Sequence, residues 1–166
     1  MIRRAAAVVI LSVGLIAAGC GDDDAGSGAE LKPIDSGGPR GSIDLAQEGD
    51  QITGTIRLAG LEPGSAHAAH LHGEPGGEFS CSGEKTSAHL INFPDLVADD
   101  EGVAELSVEI TAPAETLRAG TYVMAHENPR TMGEVATEAV VVEPGTAMMM
   151  AMENPPIACG DVPAGS

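Results

Sequence analysis

The stretch Ile52-Thr53-Gly54-Thr55-Ile56-Arg57-Leu58 places apolar and polar side chains in near-perfect alternation. The same period of two returns over residues 105–110, in the order Glu-Leu-Ser-Val-Glu-Ile. Side chains two positions apart leave a strand on the same face, so this pattern is typical of antiparallel strands with one buried and one wet face. These two segments predict an all-β fold.

Further short segments with strand character lie on both sides of these two, separated by turn signals such as Glu62-Pro63-Gly64 and Glu143-Pro144-Gly145. They cover residues 42–47, 67–72, 121–126, 139–142 and 157–162. Only residues 111–118 hint at a helical turn. Seven or eight short strands joined by Gly and Pro turns predict a sandwich or a barrel.

The chain begins with a short basic region that includes Arg3 and Arg4, followed by an apolar run over residues 5–18. This pattern predicts a secretory signal peptide over residues 1–19, because an apolar run of about 14 residues is shorter than the roughly 20 that span a bilayer. The small residues before Cys20 resemble the bacterial lipobox, which implies that lipid on Cys20 anchors the protein to the outer face of the cytoplasmic membrane or the cell envelope. A cleaved signal with a free Cys20 thiol is the alternative.

The composition limits the mature part to one acidic domain. Cleavage before Cys20 removes Arg3 and Arg4 and no acid, which takes the formal net charge from −17 to −19 and argues against a nucleic-acid partner. Residues 20–41 are rich in Gly, Asp and Ser, and they predict a disordered tether. Residues 42–166 are then expected to form a single domain.

The core must be built from aliphatic side chains, since the chain has one tyrosine, two phenylalanines and no tryptophan. A covalent cross-link would add stability to such a core. With Cys20 assigned to the lipid, Cys81 and Cys159 remain as a pair, and an oxidising compartment favours a disulfide between them. The chain-entropy estimate for so long a loop is about 4–5 kcal/mol. Two free thiols are the alternative.

The segment Gly64-Ser65-Ala66-His67-Ala68-Ala69-His70-Leu71-His72-Gly73 holds three of the five histidines of the chain. On a strand, His70 and His72 point to the same side while Leu71 points to the other. Two imidazoles on one rigid edge provide half of a metal site, although histidines of this spacing also occur on ordinary surfaces. The pattern favours a metal site only if further ligands converge on it.

Several segments together resemble the copper/zinc superoxide dismutase family. They are Gly60-Leu61 through Pro63-Gly64 to His72, then Cys81, then His89 leading into residues 95–104, then Val123-Met124-Ala125-His126-Glu127, and finally Ile157-Ala158-Cys159-Gly160. Order, spacing and residue type agree across residues 42–162. The resemblance implies an eight-stranded Greek-key β-barrel or flattened sandwich of immunoglobulin-like architecture. It also implies a copper enzyme that dismutates superoxide to oxygen and hydrogen peroxide.

The resemblance carries roles to individual residues. It implies that His70, His72 and His126 are copper ligands at the catalytic centre, and that His67 braces the site from behind. It also pairs Cys81 with Cys159. The role of His89 stays open, because it corresponds either to a zinc histidine or to the imidazolate that bridges the two metals. In either case it is the histidine left for a fourth metal ligand.

Two departures from the family pattern change what we expect of the zinc site and of the rate of superoxide turnover. Asn92 stands where the matching zinc aspartate would sit, so we predict that the zinc site is absent while a copper site of imidazoles survives. Pro156 stands where the family has an arginine that attracts superoxide. Without that charge, and in an acidic chain, turnover is expected to be less efficient than the family norm. Arg130 is a candidate for the missing positive charge.

Other functions fit parts of the same sequence. Met148, Met149, Met150 and Met152 lie close together, and thioethers favour Cu(I), so the protein could scavenge or carry copper instead of turning over superoxide. These methionines could equally fill gaps in a core that has few aromatic residues. A metal-free sandwich that serves as a structural or interaction module is the third possibility.

Overall fold

The computed structural model describes residues 28–73, 81, 88–142 and 154–162. The predicted signal peptide, Cys20 and the four clustered methionines lie outside these residues. The strands are β1 (Ala29–Pro33), β2 (Arg40–Glu48), β3 (Gln51–Ala59), β4 (Ala66–His67), β5 (Ala69–Gly73), β6 (His89–Asn92), β7 (Leu96–Val97), β8 (Val103–Thr111), β9 (Gly120–His126), β10 (Val140–Val141) and β11 (Pro156–Asp161), with one short helix, α1 (Thr116–Ala119). The all-β prediction is confirmed.

Nine of these strands form one antiparallel sheet in the order β10-β6-β5-β9-β11-β1-β2-β3-β8, and β4 pairs with β7 beside it. Buried side chains from distant strands, such as Ile56 on β3 and Leu71 on β5, belong to one hydrophobic cluster. The sheet therefore curls over a single core. Within the described residues β8 and β10 are its two edges.

The alternating segments fold as their pattern predicts. β3 pairs with β2 on one side and with β8 on the other along its whole length. Ile52, Ile56 and Leu58 are fully buried, while the polar positions between them face solvent or are half-buried. Gly54 interrupts the apolar set because a Cβ there would collide with the carbonyl oxygen of Asp44 on the neighbouring strand.

The described residues form eleven strands, more than the seven or eight that the pattern predicts. The segment expected as one strand over residues 67–72 is divided into β4 and β5, because the N–H of Ala68 donates to Asn128 O and its carbonyl accepts from the N–H of His126. β7 has only two residues, too few to produce an alternating pattern in the sequence. β10 also has two residues and is therefore shorter than the segment predicted over residues 139–142. The helical turn expected at residues 111–118 is found as α1, at Thr116–Ala119.

The predicted tether over residues 20–41 is wrong for its second half. β1 lies inside the sheet between β11 and β2, and Leu31 is fully buried in the core. Only two apolar residues, Ala29 and Leu31, mark this strand, and they alternate with Glu30 and Lys32. So short a pattern, surrounded by Gly, Asp and Ser, does not stand out in sequence, and its pairing is decided by two distant strands.

A core substitution tests this earlier boundary. Leu31→Ala should lower the free energy of unfolding by about 2–5 kcal/mol, because it leaves a cavity in a packed core. Glu30 is the exposed neighbour of Leu31 and provides the control. Glu30→Ala should change the free energy of unfolding by less than about 0.5 kcal/mol. Urea unfolding of the metal-free full chain measures both. Equal effects of the two substitutions would mean that the folded domain begins after β1.

The predicted disulfide is confirmed. Cys81 and Cys159 are bonded, with their Cα atoms 5.7 Å apart, and the N–H of Cys81 donates to the Asp161 carboxylate at 2.7 Å. A disulfide of this kind indicates an oxidising, extracytoplasmic environment. Among the described residues, no helix has the length and apolar character needed to cross a membrane.

Candidate metal centre

The pairing of β5 with β9 separates the histidines from the core. Leu71 lies opposite Val123, and both are fully buried in the hydrophobic cluster. The flanking residues on β5, His70 and His72, lie opposite Met124 and Tyr122. Since directly opposed residues of antiparallel strands share a face, the histidines line the face of the sheet that points away from the core.

An irregularity in the next strand brings a further histidine to the same face. Along the β5–β6 ladder, Leu71 lies opposite Ile91, but the following pair is His72 with His89. Leu90 is thus an extra residue in β6, as in a β-bulge, and bulges often re-aim a side chain next to a site. A regular ladder would have placed Leu90 opposite His72.

Four imidazoles meet at this place. His70, His72 and His89 can each offer a nitrogen such that the three atoms lie within 4.8 Å of one another, a geometry that could hold a metal ion. The ring centroid of His89 is 4.4 Å from that of His70 and 4.4 Å from that of His72. His126 lies outside this set of three, but its ring centroid is 5.0 Å from that of His70.

The hydrogen bond of His126 leaves its Nε2 atom free to bind a metal ion. Its Nδ1 is 2.8 Å from the carbonyl oxygen of Asn154, so Nδ1 carries the proton and Nε2 carries the lone pair. His126 Nε2 and both ring nitrogens of His70 are buried and have no hydrogen-bond partner. Buried polar atoms without partners are costly, and a bound metal would satisfy His126 Nε2 and one of the two nitrogens of His70. The donor set therefore fits a metal ion that prefers imidazole nitrogen.

Two other polar side chains orient the cluster. His89 Nδ1 lies 3.1 Å from the amide oxygen of Asn92, which is fully buried. His67 does not reach the cluster with a ring nitrogen of its own, because its Nδ1 donates to the backbone carbonyl of His126 at 2.9 Å and its Nε2 is 2.7 Å from Ser65 Oγ. Such contacts behind a ligand fix its ring orientation.

Three histidines of the cluster, His70, His89 and His126, are held in the neutral form that binds metals. Burial lowers the pKa of His70 from 6.5 to about 2, with further lowering by the charges of His89, His126, His72 and Arg130. Burial also lowers the pKa of His89 and that of His126, although hydrogen bonds to Asn92 and to the Asn154 carbonyl oppose the shift. Among the described residues, no carboxylate belongs to the compact set of His70, His72 and His89. Neutral imidazoles suit copper, zinc, nickel or iron ions.

These shifts predict a loss of stability in mild acid. Below pH 6.5 the unfolded chain protonates His70 while the folded chain does not, so the free energy of unfolding should fall by about 1.4 kcal/mol per pH unit for this residue alone. Urea unfolding of the metal-free protein at about pH 7.5 and about pH 5 measures the loss. In His70→Gln the loss over the same interval should be smaller. An equal loss in both proteins would contradict the shift.

A loop after β9 places a positive charge near the cluster. The Asp95 carboxylate accepts the backbone N–H of Arg130 at 3.0 Å and that of Ala136 at 2.7 Å, which holds the loop on the body of the protein. Arg130 Nη2 donates to the Glu138 carbonyl at 3.0 Å, while Nη1 is buried without a partner. Asp95 was not singled out in sequence, because a lone aspartate before a short strand has no distinguishing pattern.

No protein-family profile matches this chain, and no curated protein sequence does either. In the described part of the chain the centre contains four imidazoles, a buried amide and a nearby guanidinium.

Proposed function

We propose that this chain is an extracytoplasmic copper protein with the Greek-key fold and the activity of the copper/zinc superoxide dismutase family. The observation that carries the proposal is the buried cluster of His70, His72, His89 and His126. His70, His72 and His126, which the resemblance assigns to copper, meet there with His89, although these residues come from segments that are distant in sequence. The disulfide joins the same two segments that the resemblance pairs.

Copper bound by these imidazoles would supply one-electron redox chemistry, through which two superoxide ions and two protons give oxygen and hydrogen peroxide. The protein contributes the ligand set and its environment. Burial keeps His70, His89 and His126 neutral, and the hydrogen bond from His126 Nδ1 to the carbonyl oxygen of Asn154 directs Nε2 toward the cluster. The surrounding side chains limit access to small ions and water, since His70 is fully buried and His126 is nearly so.

His89 is proposed as a ligand of the same metal ion. Its nitrogen lies within the compact set formed with His70 and His72. Asn92 stands at the position of the expected zinc aspartate, and its amide oxygen forms a hydrogen bond with Nδ1 of His89. A separate zinc site usually requires about four nitrogen, sulfur or carboxylate ligands. We therefore keep the prediction of one copper ion and no zinc.

Arg130 is proposed to attract the superoxide anion in place of the family arginine. The matching position is Pro156, which begins β11 and has no charge to offer. The charge of Arg130 acts on His70, and its buried Nη1 has a hydrogen available for an anion. Because the whole chain has a formal net charge of −17, the positive charge of Arg130 opposes a repulsive field.

Attachment to the membrane through lipid on Cys20 belongs to the same proposal. An anchored copper enzyme of this kind would intercept superoxide outside the cytoplasm, in agreement with the oxidising environment that the disulfide indicates.

The direct test measures metal content and superoxide turnover on one sample of the full chain. We expect one equivalent of copper, no stoichiometric zinc, and turnover well above that of the double variant His70→Gln/His126→Gln, which should lose the copper. Arg130→Met should keep the copper but lower kcat/KM by about 10- to 100-fold, in the usual range for electrostatic steering.

Three other results would each reject part of the proposal. Copper binding without turnover favours the carrier function, and Cu(I) affinity should then depend on the four clustered methionines. Copper binding that the double variant retains places the metal elsewhere. Absence of copper binding leaves the metal-free structural module as the remaining function.

A further inference from the structure

Tyr122 is the only tyrosine in a chain that has no tryptophan. It is fully buried, and its ring stacks on that of His72 with centroids 4.6 Å apart and planes inclined by 11°. It lies directly opposite His72 in the ladder between β5 and β9. The aromatic side chain of this protein that is most readily oxidised is therefore stacked on a histidine of the metal centre.

Tyr122 is also separate from the main core. It forms a small cluster with Met124 and Cys159, against which Cys81 packs. In the strand register Met124 lies opposite His70 on one side and Cys159 on the other. Thioethers and disulfides are themselves oxidisable groups, so redox-active side chains continue from the metal centre to Cys81, which is partly exposed.

We propose that Tyr122 is an oxidation site, at which a phenoxyl radical forms in place of damage to the metal-binding histidines. The inference rests on the proposed function, because that function supplies hydrogen peroxide as the oxidant. Copper held by His70, His72, His89 and His126 would supply, in its reduced state, the one electron that splits hydrogen peroxide into hydroxide and a hydroxyl radical, and it would itself be oxidised by one electron. The radical takes the phenolic hydrogen atom of Tyr122, which gives water and the phenoxyl radical. A small thiol then returns a hydrogen atom and leaves as a thiyl radical.

The placement of Tyr122 favours this outcome for a physical reason. A hydroxyl radical reacts close to where it forms, and the ring of Tyr122, with its centroid 4.6 Å from that of His72, lies beside the imidazoles. Oxidation of an imidazole ligand is permanent, whereas the phenoxyl radical can be reduced back to the phenol. A reversible acceptor beside His72 therefore protects the ligand set.

The test uses the full chain loaded anaerobically with one equivalent of Cu(I), then mixed with one equivalent of hydrogen peroxide and frozen. We expect a tyrosyl signal in the electron paramagnetic resonance spectrum that is absent from Tyr122→Phe. Peptide mass analysis should show several-fold more oxidation of His70 and His72 in Tyr122→Phe than in the wild type. The variant keeps a ring that can stack on His72, so its copper content should be unchanged.

Met132 provides an internal reference for oxidation by peroxide in solution, since its side chain is 78% exposed. Its sulfoxide content should be equal in the two proteins. A copper-loaded wild type with no tyrosyl signal and with the same histidine oxidation as Tyr122→Phe overturns this inference, even if superoxide turnover is normal. A tyrosyl signal without superoxide turnover supports the inference and rejects the proposed activity. A chain that binds no copper rejects both.

Discussion

His89→Gln should lower the affinity for Cu(II) by at least about 100-fold, because the loss of a direct ligand costs more than the 10- to 100-fold that is typical for groups behind the ligands. The reason lies in the geometry of the cluster, where His89 is closer to His70 and His72 than His126 is to the set. Competition titration against a chelator of known copper affinity measures the change.

His67→Gln is the matched control for this prediction. Among the described residues, His67 is linked to the centre by its hydrogen bond to the backbone carbonyl of His126, so its replacement should cost about 10-fold or less in copper affinity. If His89→Gln bound copper as tightly as the wild type, His89 would be a remnant of a zinc site and not a ligand of this metal. Equal losses in the two variants would show that neither side chain binds the metal directly.

The double variant Cys81→Ser/Cys159→Ser should lose about 2–5 kcal/mol of unfolding free energy, the usual cost of removing a native disulfide from a small secreted domain. The bond spans 78 positions in sequence, so the oxidised unfolded chain is strongly restricted. The effect should be large here because the core contains few aromatic side chains. Urea unfolding of the metal-free proteins measures the difference.

Cys20→Ser is the control, since it leaves the disulfide in place and should not change the unfolding free energy. Reduction of the wild type by excess dithiol should reproduce the double variant. A loss below about 1 kcal/mol would mean that the bond adds little to the stability of this fold.

Much of the architecture follows from local pattern. The alternation in β3 and β8 identified both strands, since a strand with one buried face repeats with a period of two. The same rule placed His70 and His72 on one face, and the cysteine count together with the compartment identified the disulfide. These inferences depend only on residues that are near in sequence or few in number.

Other features could not be obtained in this way. β1 has two apolar residues and is held by β2 and β11, which are distant in sequence. The bulge at Leu90 that turns His89 toward His72 depends on how β5 and β6 align. The contacts of Asp95 with the loop that includes Arg130 are likewise made between segments far apart in the chain.

The amino-acid sequence by itself determined the strand character of most segments, the pairing of the two cysteines and the shared face of two histidines, because periodicity and residue type act over a few positions. Only the tertiary structure decided that His89 and His126 join them, that Arg130 lies close enough to act on His70, and that Tyr122 stacks on His72. These placements depend on strand register, and register is set by the packing of the whole curled sheet over one core.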